Sequence, residues 1–287
     1  MKRLDKSELI FKILAYVLVT LFCITTLYPF IYSISMAVSS KVAVETGQVV
    51  LWPVEPQFDA LAALINGEQA RTFWIAYTNT LFYTLYGTIF SMLISIFAAY
   101  ALAKKNLIFN KHITFLIVFT MWFSAGMIPT YLNYTQLGVN NRWAIIYGFG
   151  AQAFNILLLR NYFVGISSEI EEAAIVDGAS EWQILRHIYL PMSKSAIATV
   201  TLFYALNRWN GYFWNRILVL APEHPLQVVL RGITELAGNT DIIVDYGYSL
   251  YSLAYAAIIF SIIPIMLVYP YLQKYFARGV NVGGVKE

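Results

Sequence analysis

The stretch TFWIAYTNTLFYTLYGTIFSMLISIFAAYALA, residues 72–103, contains no Asp, Glu, Lys or Arg. Four more runs without these residues occur along the chain, at 13–40, 112–141, 143–159 and 246–273. Hydrophobic residues make up 59% of the chain and charged residues 12%, a balance that is atypical of soluble domains. Because about 20 apolar residues cross the hydrocarbon core as a helix, four of the runs are long enough by themselves. The sequence therefore predicts an all-α, polytopic membrane protein.

Two further features complete the count of spans. The short run at 143–159 continues through Arg160, whose long side chain can reach the membrane interface. Another apolar segment, at about 192–220, is interrupted by Arg208 and Arg216 and is the sixth candidate span. We predict a single domain, residues 1–287, with six transmembrane helices at about 12–38, 72–103, 112–131, 143–166, 192–220 and 246–273.

The distribution of Lys and Arg predicts the orientation of the chain. If the N-terminus lies inside, most of the 19 Lys and Arg fall in cytoplasmic segments. The predicted outer segments hold only Lys41, Arg71, Arg142, Arg216 and Arg231. This excess predicts a multi-pass protein of the cytoplasmic (inner) membrane with both termini in the cytoplasm. The first apolar run is too long for a cleavable signal core, so we expect it to stay as the first span.

Composition and motifs argue against several classes of function. A net charge of +3 gives no indication of nucleic-acid binding, and Cys23 is the only cysteine, so one chain can form no disulfide framework. The three histidines are far apart, and we predict no metal site and no catalytic site. No Gly-x-x-x-x-Gly-Lys-Ser/Thr loop occurs, so the chain cannot hold ATP by that route. The predicted spans also lack Asp and Glu, which counts against a proton-coupled secondary transporter.

The polar loop at 167–191 carries an ordered pattern between two apolar segments. Ser168 followed by Glu171 predicts a capping box for a helix that starts near Glu169 and ends at Asp177-Gly178. Ser180 followed by Gln183 predicts a second capping box, for a helix over 181–188. In this second helix an apolar stripe is predicted at Trp182, Leu185 and Tyr189, and Pro191 falls in the first turn of the next helix.

The charge of this loop indicates what it binds. An interfacial helix that lies on the bilayer usually carries Lys or Arg on its polar face. This loop instead contains Arg186 against the acidic residues Glu169, Glu171, Glu172, Asp177 and Glu181. Because an acidic face is repelled by anionic lipid, we predict that the loop docks with apolar anchors into a groove of a protein partner.

The residues of the loop resemble those of a known family. Glu172-Ala173-Ala174 is followed after three residues by Gly178, after nine more by Ile188, and then by Leu190-Pro191. This spacing is similar to the EAA loop of ATP-binding-cassette (ABC) importer permeases, in which two short helices dock on the nucleotide-binding subunit. The resemblance implies the type I ABC importer permease fold and a coupling role for residues 167–191, here named the coupling loop. Its implied contact residues are Glu172, Ala173, Ala174, Gly178, Trp182, Leu185, Ile188, Leu190 and Pro191.

Two other segments are similar to the carbohydrate-uptake permeases of the maltose-importer type. One is the tail at 277–287, with Arg278-Gly279-Val280 and Gly283-Gly284-Val285-Lys286, and the other is Trp209-Asn210 with Tyr212 and Phe213. Arg208, before that Trp, departs from the family pattern. The nearest similarity is to permeases for oligosaccharides, alginate and lipo-oligosaccharides. The resemblance implies that this chain binds no cofactor, and that ATP and Mg²⁺ bind to two ABC ATPase subunits. It further implies a heterodimer with a second permease in the lipid bilayer and an extracytoplasmic solute-binding protein.

Arg208 is the main candidate for contact with the transported solute. At 1.5 Å per residue from Met192 it lies about 24 Å up its helix, in the outer half of the bilayer. Its guanidinium could bind a carboxylate of an acidic sugar such as an alginate oligosaccharide, with Asn207 and Asn210 on the hydroxyls. Trp209 and Tyr212 complete the predicted path. The alternatives for Arg208 are a salt bridge to the second permease and a side chain that extends outward to the interface, and at this stage the two together are favoured over substrate binding.

The sequence thus predicts the permease subunit of an ATP-driven sugar importer that works by alternating access. Three alternatives stay open. The chain could import another solute, such as a peptide or an amino acid. It could be a secondary transporter or channel, in which the loop would be only structural. A membrane enzyme is the most distant alternative, because no nucleophile–base or metal-ligand spacing is present.

Overall fold

The structure, a computed structural model, describes residues 6–67, 70–238 and 246–279. These residues form α-helices and connecting turns, in agreement with the all-α prediction. In chain order the helices are α1 (Lys6–Ala37), α2 (Lys41–Glu45), α3 (Asp59–Asn66), α4 (Ala70–Ala103), α5 (Asn110–Trp122), α6 (Met127–Gln136), α7 (Arg142–Gly148), α8 (Ala153–Val164), α9 (Ser168–Val176), α10 (Glu181–Ile184), α11 (Leu190–Met192), α12 (Lys194–Trp209), α13 (Phe213–Leu218), α14 (Leu226–Ala237) and α15 (Leu250–Gly279). A π-helical turn at Leu185–Tyr189 joins α10 to α11, and a 3₁₀ turn at Ala221–Glu223 precedes α14.

Three helices in the described part of the chain are long and apolar enough to cross a membrane by length and composition. They cover Ser7–Ala37, Ala70–Ala103 and Leu250–Pro270. The helices Asn110–Trp122 and Met127–Gln136 together make a fourth candidate, with a bend of 117° between them. The structure therefore shows a polytopic arrangement, and the count of six spans stays a prediction.

The predicted third, fourth and fifth spans are each divided between two helices. Between α5 and α6 the chain turns at Gly126, whose φ of 86° favours glycine. Residues 149–152 separate α7 from α8, and Asn210 to Tyr212 separate α12 from α13. A charge-free run shows that a segment can be buried in lipid, but it does not show whether its backbone turns within the run. The predicted sixth span begins four residues later than expected, at Leu250.

The described residues divide into two compact units. The first combines those of Met1–Phe73 with those of Leu230–Ile263. In it the end of α1 and the short α2 bury Met36, Ala43 and Val44 in one apolar cluster. Tyr32 of α1 and Tyr255 of α15 flank the cluster, with ring centroids 5.6 Å apart in an edge-on arrangement.

The second unit combines Trp74–Val229 with the described residues of Pro264–Glu287. It contains the coupling loop and all the predicted path residues. An apolar cluster beneath the coupling loop includes Leu159 and Phe163 of α8, Ile184 and Leu185. A separate cluster forms around Tyr83 of α4 and Ile145 and Ile146 of α7. Beyond Gly279, the predicted tail lies outside the described residues.

Candidate functional site: the coupling loop and a nearby cavity

The first coupling helix, α9, is capped one residue earlier than predicted. Ser167, not Ser168, is the N-cap, and its hydroxyl accepts a hydrogen bond from the Glu169 amide at 3.3 Å. The predicted Ser168–Glu171 capping box is therefore wrong. Its physical reason lies in tertiary contacts: the Glu171 carboxylate that the box requires accepts hydrogen bonds from Lys104 and from the Tyr189 hydroxyl instead.

The hinge between the two helices agrees with the prediction. α9 ends at Val176, Asp177 is its C-cap, and Gly178 has a φ of 79°. This left-handed conformation is the one that glycine adopts without a steric penalty. The second capping box is also confirmed, because the Gln183 amide donates to Ser180 Oγ and Gln183 Oε1 accepts from the Ser180 amide at 2.7 Å.

The second helix differs from the predicted α-helix over 181–188. After Ile184 it becomes a π-helical turn, in which the Leu190 amide donates to the carbonyl of Leu185, five residues back. Pro191 explains the change, because proline has no amide hydrogen and its ring crowds the carbonyl four residues before it. As predicted, Pro191 lies in the first turn of the following helix, α11.

The coupling loop presents part of its predicted contact set to the surface. Glu172, Ala173, Gly178, Trp182 and Pro191 are exposed, whereas Leu185 is buried. Ala174, Ile188 and Leu190 are half-buried against the cluster beneath the loop. The exposed members are thus free to meet a partner, and the buried ones fix the loop to its own chain.

The predicted apolar stripe of the second helix is only partly buried. Leu185 and Tyr189 point into the core, together with Ile184, which the stripe did not include. Trp182 remains 54% exposed and stacks on Phe97 of α4, with ring centroids 6.2 Å apart. The π-helical turn rotates the residues after Ile184, so ordinary helical spacing does not describe the buried face.

Lys104, which directly follows α4, binds the two coupling helices. Its ammonium pairs with Glu171 of α9 and, at 2.7 Å, with Glu181 of α10. Tyr100 donates to the Glu181 carboxylate, and Tyr189 donates to Glu171 at 2.5 Å. The ammonium also lies 4.5 Å from the ring centroid of Tyr100 and 5.6 Å from that of Tyr189. We name these five residues the Lys104 cluster.

The charges of the Lys104 cluster stabilise one another. Burial alone lowers the pKa of Lys104, but hydrogen bonds to Glu171 and Glu181 outweigh it, and the net pKa lies above the ordinary value. The hydrogen bond from Lys104, followed by that from Tyr100, lowers the pKa of Glu181. Burial, followed by the hydrogen bond to Glu171, raises the pKa of Tyr189. The Lys104–Glu181 ion pair is therefore fully formed at neutral pH.

A cavity of about 850 Å³ lies within the second unit, and most of the predicted path residues line it. Asn207, Arg208, Asn210 and Tyr212 belong to its wall, together with the amide of Asn215, the rings of Phe149, Phe203, Phe213 and Trp214, and Gln152. Amide groups and aromatic faces are the groups that suit hydroxyls and apolar faces of a sugar. Trp209 is the exception, since it is buried beside Tyr77, with centroids 6.1 Å apart, and does not line the cavity.

Arg208 contributes to the wall chiefly as a structural residue. Its side chain is 7% exposed and donates to the carbonyls of Ile145, Ile146 and Phe149, the last at 2.6 Å. These carbonyls belong to the end of α7; that of Ile145 also accepts the Phe149 amide, whereas those of Ile146 and Phe149 lie where helical carbonyls run out of partners within the helix. A Cβ at Gly87 would lie 2.8 Å from Arg208 Nε, so a glycine in α4 makes room for the guanidinium. Binding of a substrate carboxylate by Arg208 stays a prediction.

Sequence reasoning missed the residues that act through distant contacts. Lys104 and Lys105 are adjacent in a basic turn, and nothing in the local pattern distinguishes the one that binds both coupling helices. Gly87 lies within an apolar run where glycine is common. Among the described residues, no group of three or more His, Cys, Asp or Glu could hold a metal ion.

Comparison with known proteins places these features in a family. Residues 72–282 match the family described as the binding-protein-dependent transport system inner membrane component. The polygalacturonan/rhamnogalacturonan transport system permease protein YtcP of Bacillus subtilis is 36% identical over 96% of this chain and 98% of that protein. Protein LplC of the same organism is 34% identical over 91% of this chain and 90% of that protein.

Two solved structures share the fold. A chain of a bacterial ABC transporter involved in the import of the acidic polysaccharide alginate is 42% identical, with a TM-score of 0.87 over 96% of this chain and 100% of that chain. A chain of a bacterial alginate ABC transporter in complex with an alginate pentasaccharide-bound periplasmic protein has a TM-score of 0.62, over 98% of each chain. Its identity of 17% supports the fold alone.

These matches confirm the resemblance predicted from Glu172 to Pro191. They extend from the coupling loop to most of the chain, and they include both sequence identity and a superimposable fold. The protein is therefore a multi-pass membrane permease with the type I ABC importer fold, and it belongs to the inner membrane components of binding-protein-dependent transport systems.

Proposed function

We propose that this chain is one of two permease subunits of an ATP-driven importer for acidic oligosaccharides. A solute-binding protein outside the membrane delivers the oligosaccharide. The chain pairs with a second, different permease, and two ABC ATPase subunits hold ATP and Mg²⁺ and bind the coupling loop from the cytoplasm. Both termini lie in the cytoplasm. This chain moves the solute by alternating access and has no ATPase site of its own.

The observation that carries this proposal is the full-length similarity to permeases of known cargo. YtcP is described as a polygalacturonan/rhamnogalacturonan permease, and the solved importer as one for the acidic polysaccharide alginate. Both descriptions name polymers of sugars that carry carboxylates. Similarity of 36% and 42% over nearly the whole chain supports transfer of that cargo class to this protein.

Two features of the chain support the same function. The exposed face of the coupling loop contains Glu172 and Ala173 at its centre and is available to a partner. The cavity offers the amides of Asn207, Asn210 and Asn215 beside aromatic rings. This combination suits the hydroxyls and ring faces of a sugar, so it supports a saccharide over an amino acid or peptide.

Uptake into proteoliposomes tests the proposal. We would reconstitute the chain with its second permease, ATPase subunits and binding protein, and compare oligogalacturonate and alginate trisaccharides with neutral maltotriose. We expect uptake of an acidic trisaccharide that requires hydrolysable ATP. Uptake driven by an ion gradient without ATP would instead identify a secondary transporter. ATP-driven uptake of maltotriose alone would refute the acidic cargo.

A further inference from the structure

One ammonium group holds both coupling helices. Lys104 Nζ contacts Glu171 of α9 and Glu181 of α10, and these helices are separated by the hinge at Gly178. The Lys104 and Glu171 side chains are 17% and 19% exposed, so this pair is largely withdrawn from solvent. Glu181 is 67% exposed. A change in the angle between α9 and α10 must therefore lengthen at least one of the two ion pairs.

Each of the two carboxylates that Lys104 binds also accepts a hydrogen bond from a tyrosine. Tyr100 belongs to α4 and donates to Glu181, so α10 is bonded to α4 both directly and through Lys104. Tyr189 belongs to the π-helical turn and donates to Glu171, so α9 is bonded to the turn that follows α10. Among the described residues, each carboxylate thus has one ammonium donor and one phenol donor. Such a network is more rigid than an isolated surface ion pair.

α4 leads from this network to the cavity wall. The helix is continuous from Ala70 to Ala103, and its residues Gly87 and Ser91 contact Arg208. At 1.5 Å per residue, Ser91 lies roughly 20 Å along the helix from Lys104. A second contact lies between them, since Ser95 Oγ and Tyr204 Oη are 2.7 Å apart and Tyr204 belongs to α12. A displacement of the last turn of α4 is therefore carried to the cavity by one uninterrupted helix.

We propose that Lys104 is the positioning residue that couples the movement of the coupling loop to the cavity. It fixes α9 and α10 to each other across Gly178, and it fixes both to the end of α4. When an ATPase subunit displaces the loop, α4 moves with it and carries Gly87 and Ser91 against Arg208. This inference rests on the proposed function, and it adds the residue through which the loop acts on the rest of its own chain.

Substitution of Lys104 tests this role in the reconstituted importer. Lys104→Met removes the charge and keeps most of the length, and Lys104→Arg keeps the charge. Lys105→Met is the matched control, because Lys105 is exposed and forms no ion pair within the described part of the chain. For Lys104→Met we expect ATP hydrolysis to continue while oligosaccharide uptake per ATP falls at least about fivefold, a usual size for a coupling effect. Lys105→Met should match the wild type, and Lys104→Arg should restore most of the ratio.

A purely structural role for Lys104 predicts a different result. The amount of assembled importer would fall, but uptake per ATP in the complexes that form would stay within about twofold of the wild type. That result would overturn the inference. Should Lys104→Met fail to assemble, Glu181→Gln removes one of the two ion pairs at an exposed carboxylate, and the same ratio decides the outcome.

A distance measurement tests the link without any transport. Spin labels at Val176→Cys in α9 and Leu93→Cys in α4, both at exposed positions, are placed in a Cys23→Ser chain within the complex. We expect one narrow distance distribution in the parent and a broad one after Lys104→Met. An unchanged distribution would refute the link. Absence of ATP-driven uptake in the wild type, with the narrow distribution intact, would refute the proposed function and leave the link standing.

Discussion

At the residue scale, Arg208 shows what the sequence could and could not reveal. A cation inside an apolar segment is unusual, and the sequence alone identified it as a special residue. Three of its acceptors are backbone carbonyls of residues 145, 146 and 149, about 60 positions away in the sequence, and a fourth is the Ser91 hydroxyl; no local pattern could indicate them. The arrangement also needs Gly87, because a larger residue there would occupy the space of the guanidinium.

These contacts lead to a prediction for Arg208→Ala. The substitution leaves the carbonyls of Ile146 and Phe149 without the donor that the guanidinium supplies, at a cost of roughly 1–3 kcal/mol. We expect a lower unfolding temperature in detergent and equal losses in the uptake of acidic and neutral oligosaccharides. Lys111→Ala, at an exposed cation, is the control and should change neither quantity. A loss confined to acidic oligosaccharides would show that Arg208 binds the substrate carboxylate instead.

At the scale of elements, the sequence predicted those features of the coupling loop that depend only on neighbouring residues. The Ser180 capping box and the left-handed Gly178 are properties of a few consecutive residues, and both are confirmed. The start of α9 was misplaced by one residue because Glu171 bonds to Lys104 rather than to its own helix. The π-helical turn was missed because Pro191 changes the hydrogen bonds of the preceding turn.

The hinge gives a prediction at this scale. No atom lies within 4 Å of a Cβ placed on Gly178, so the cost of a substitution comes from its φ of 79° and not from crowding. Asn tolerates this conformation and β-branched residues do not. We expect Gly178→Val to abolish most ATP-driven uptake while membrane insertion survives, and Gly178→Asn to stay close to the wild type. Equal uptake by both variants would argue for a channel in which the loop is only structural.

The Lys104 cluster gives a second prediction, on pH. The pKa of Glu181 is lowered in the cluster. The stability that its carboxylate contributes is therefore complete above about pH 4.3, the ordinary glutamate pKa, and is lost as the pH falls through the lowered pKa. The pKa of Lys104 is raised, so the stability that its charge contributes is complete below about pH 10.4, the ordinary pKa of lysine. That contribution is lost only as the pH rises through the raised pKa. We expect the distance from α4 to the segment after α10, read from spin labels at Leu93→Cys and the exposed Arg186→Cys, to be constant from about pH 5 to pH 8 and to broaden only below about pH 4. Broadening near pH 6 would contradict this assignment.

At the scale of the whole molecule, composition predicted the class and the spaced motif predicted the family. Runs without charge are a direct consequence of burial in lipid, so the all-α membrane fold followed from them. The same runs did not predict the turns that divide three of the predicted spans. A run that is apolar throughout gives no sign of where its helices end, and where the chain turns depends on how neighbouring helices pack. The class of transported sugar could be proposed only from similar proteins, because a cavity of amides and aromatic rings suits many sugars.

The central claim is that the exposed face of the coupling loop binds an ATPase subunit. The most direct test is photo-crosslinking in the assembled importer, with a benzophenone group at Ala173→Cys in a Cys23→Ser chain. Trp122→Cys, at an exposed position of α5 far from the loop in sequence, is the control. We predict that the probe at residue 173 crosslinks to an ATPase subunit and that the probe at residue 122 does not. A probe at residue 173 that reacts with lipid alone would contradict the account.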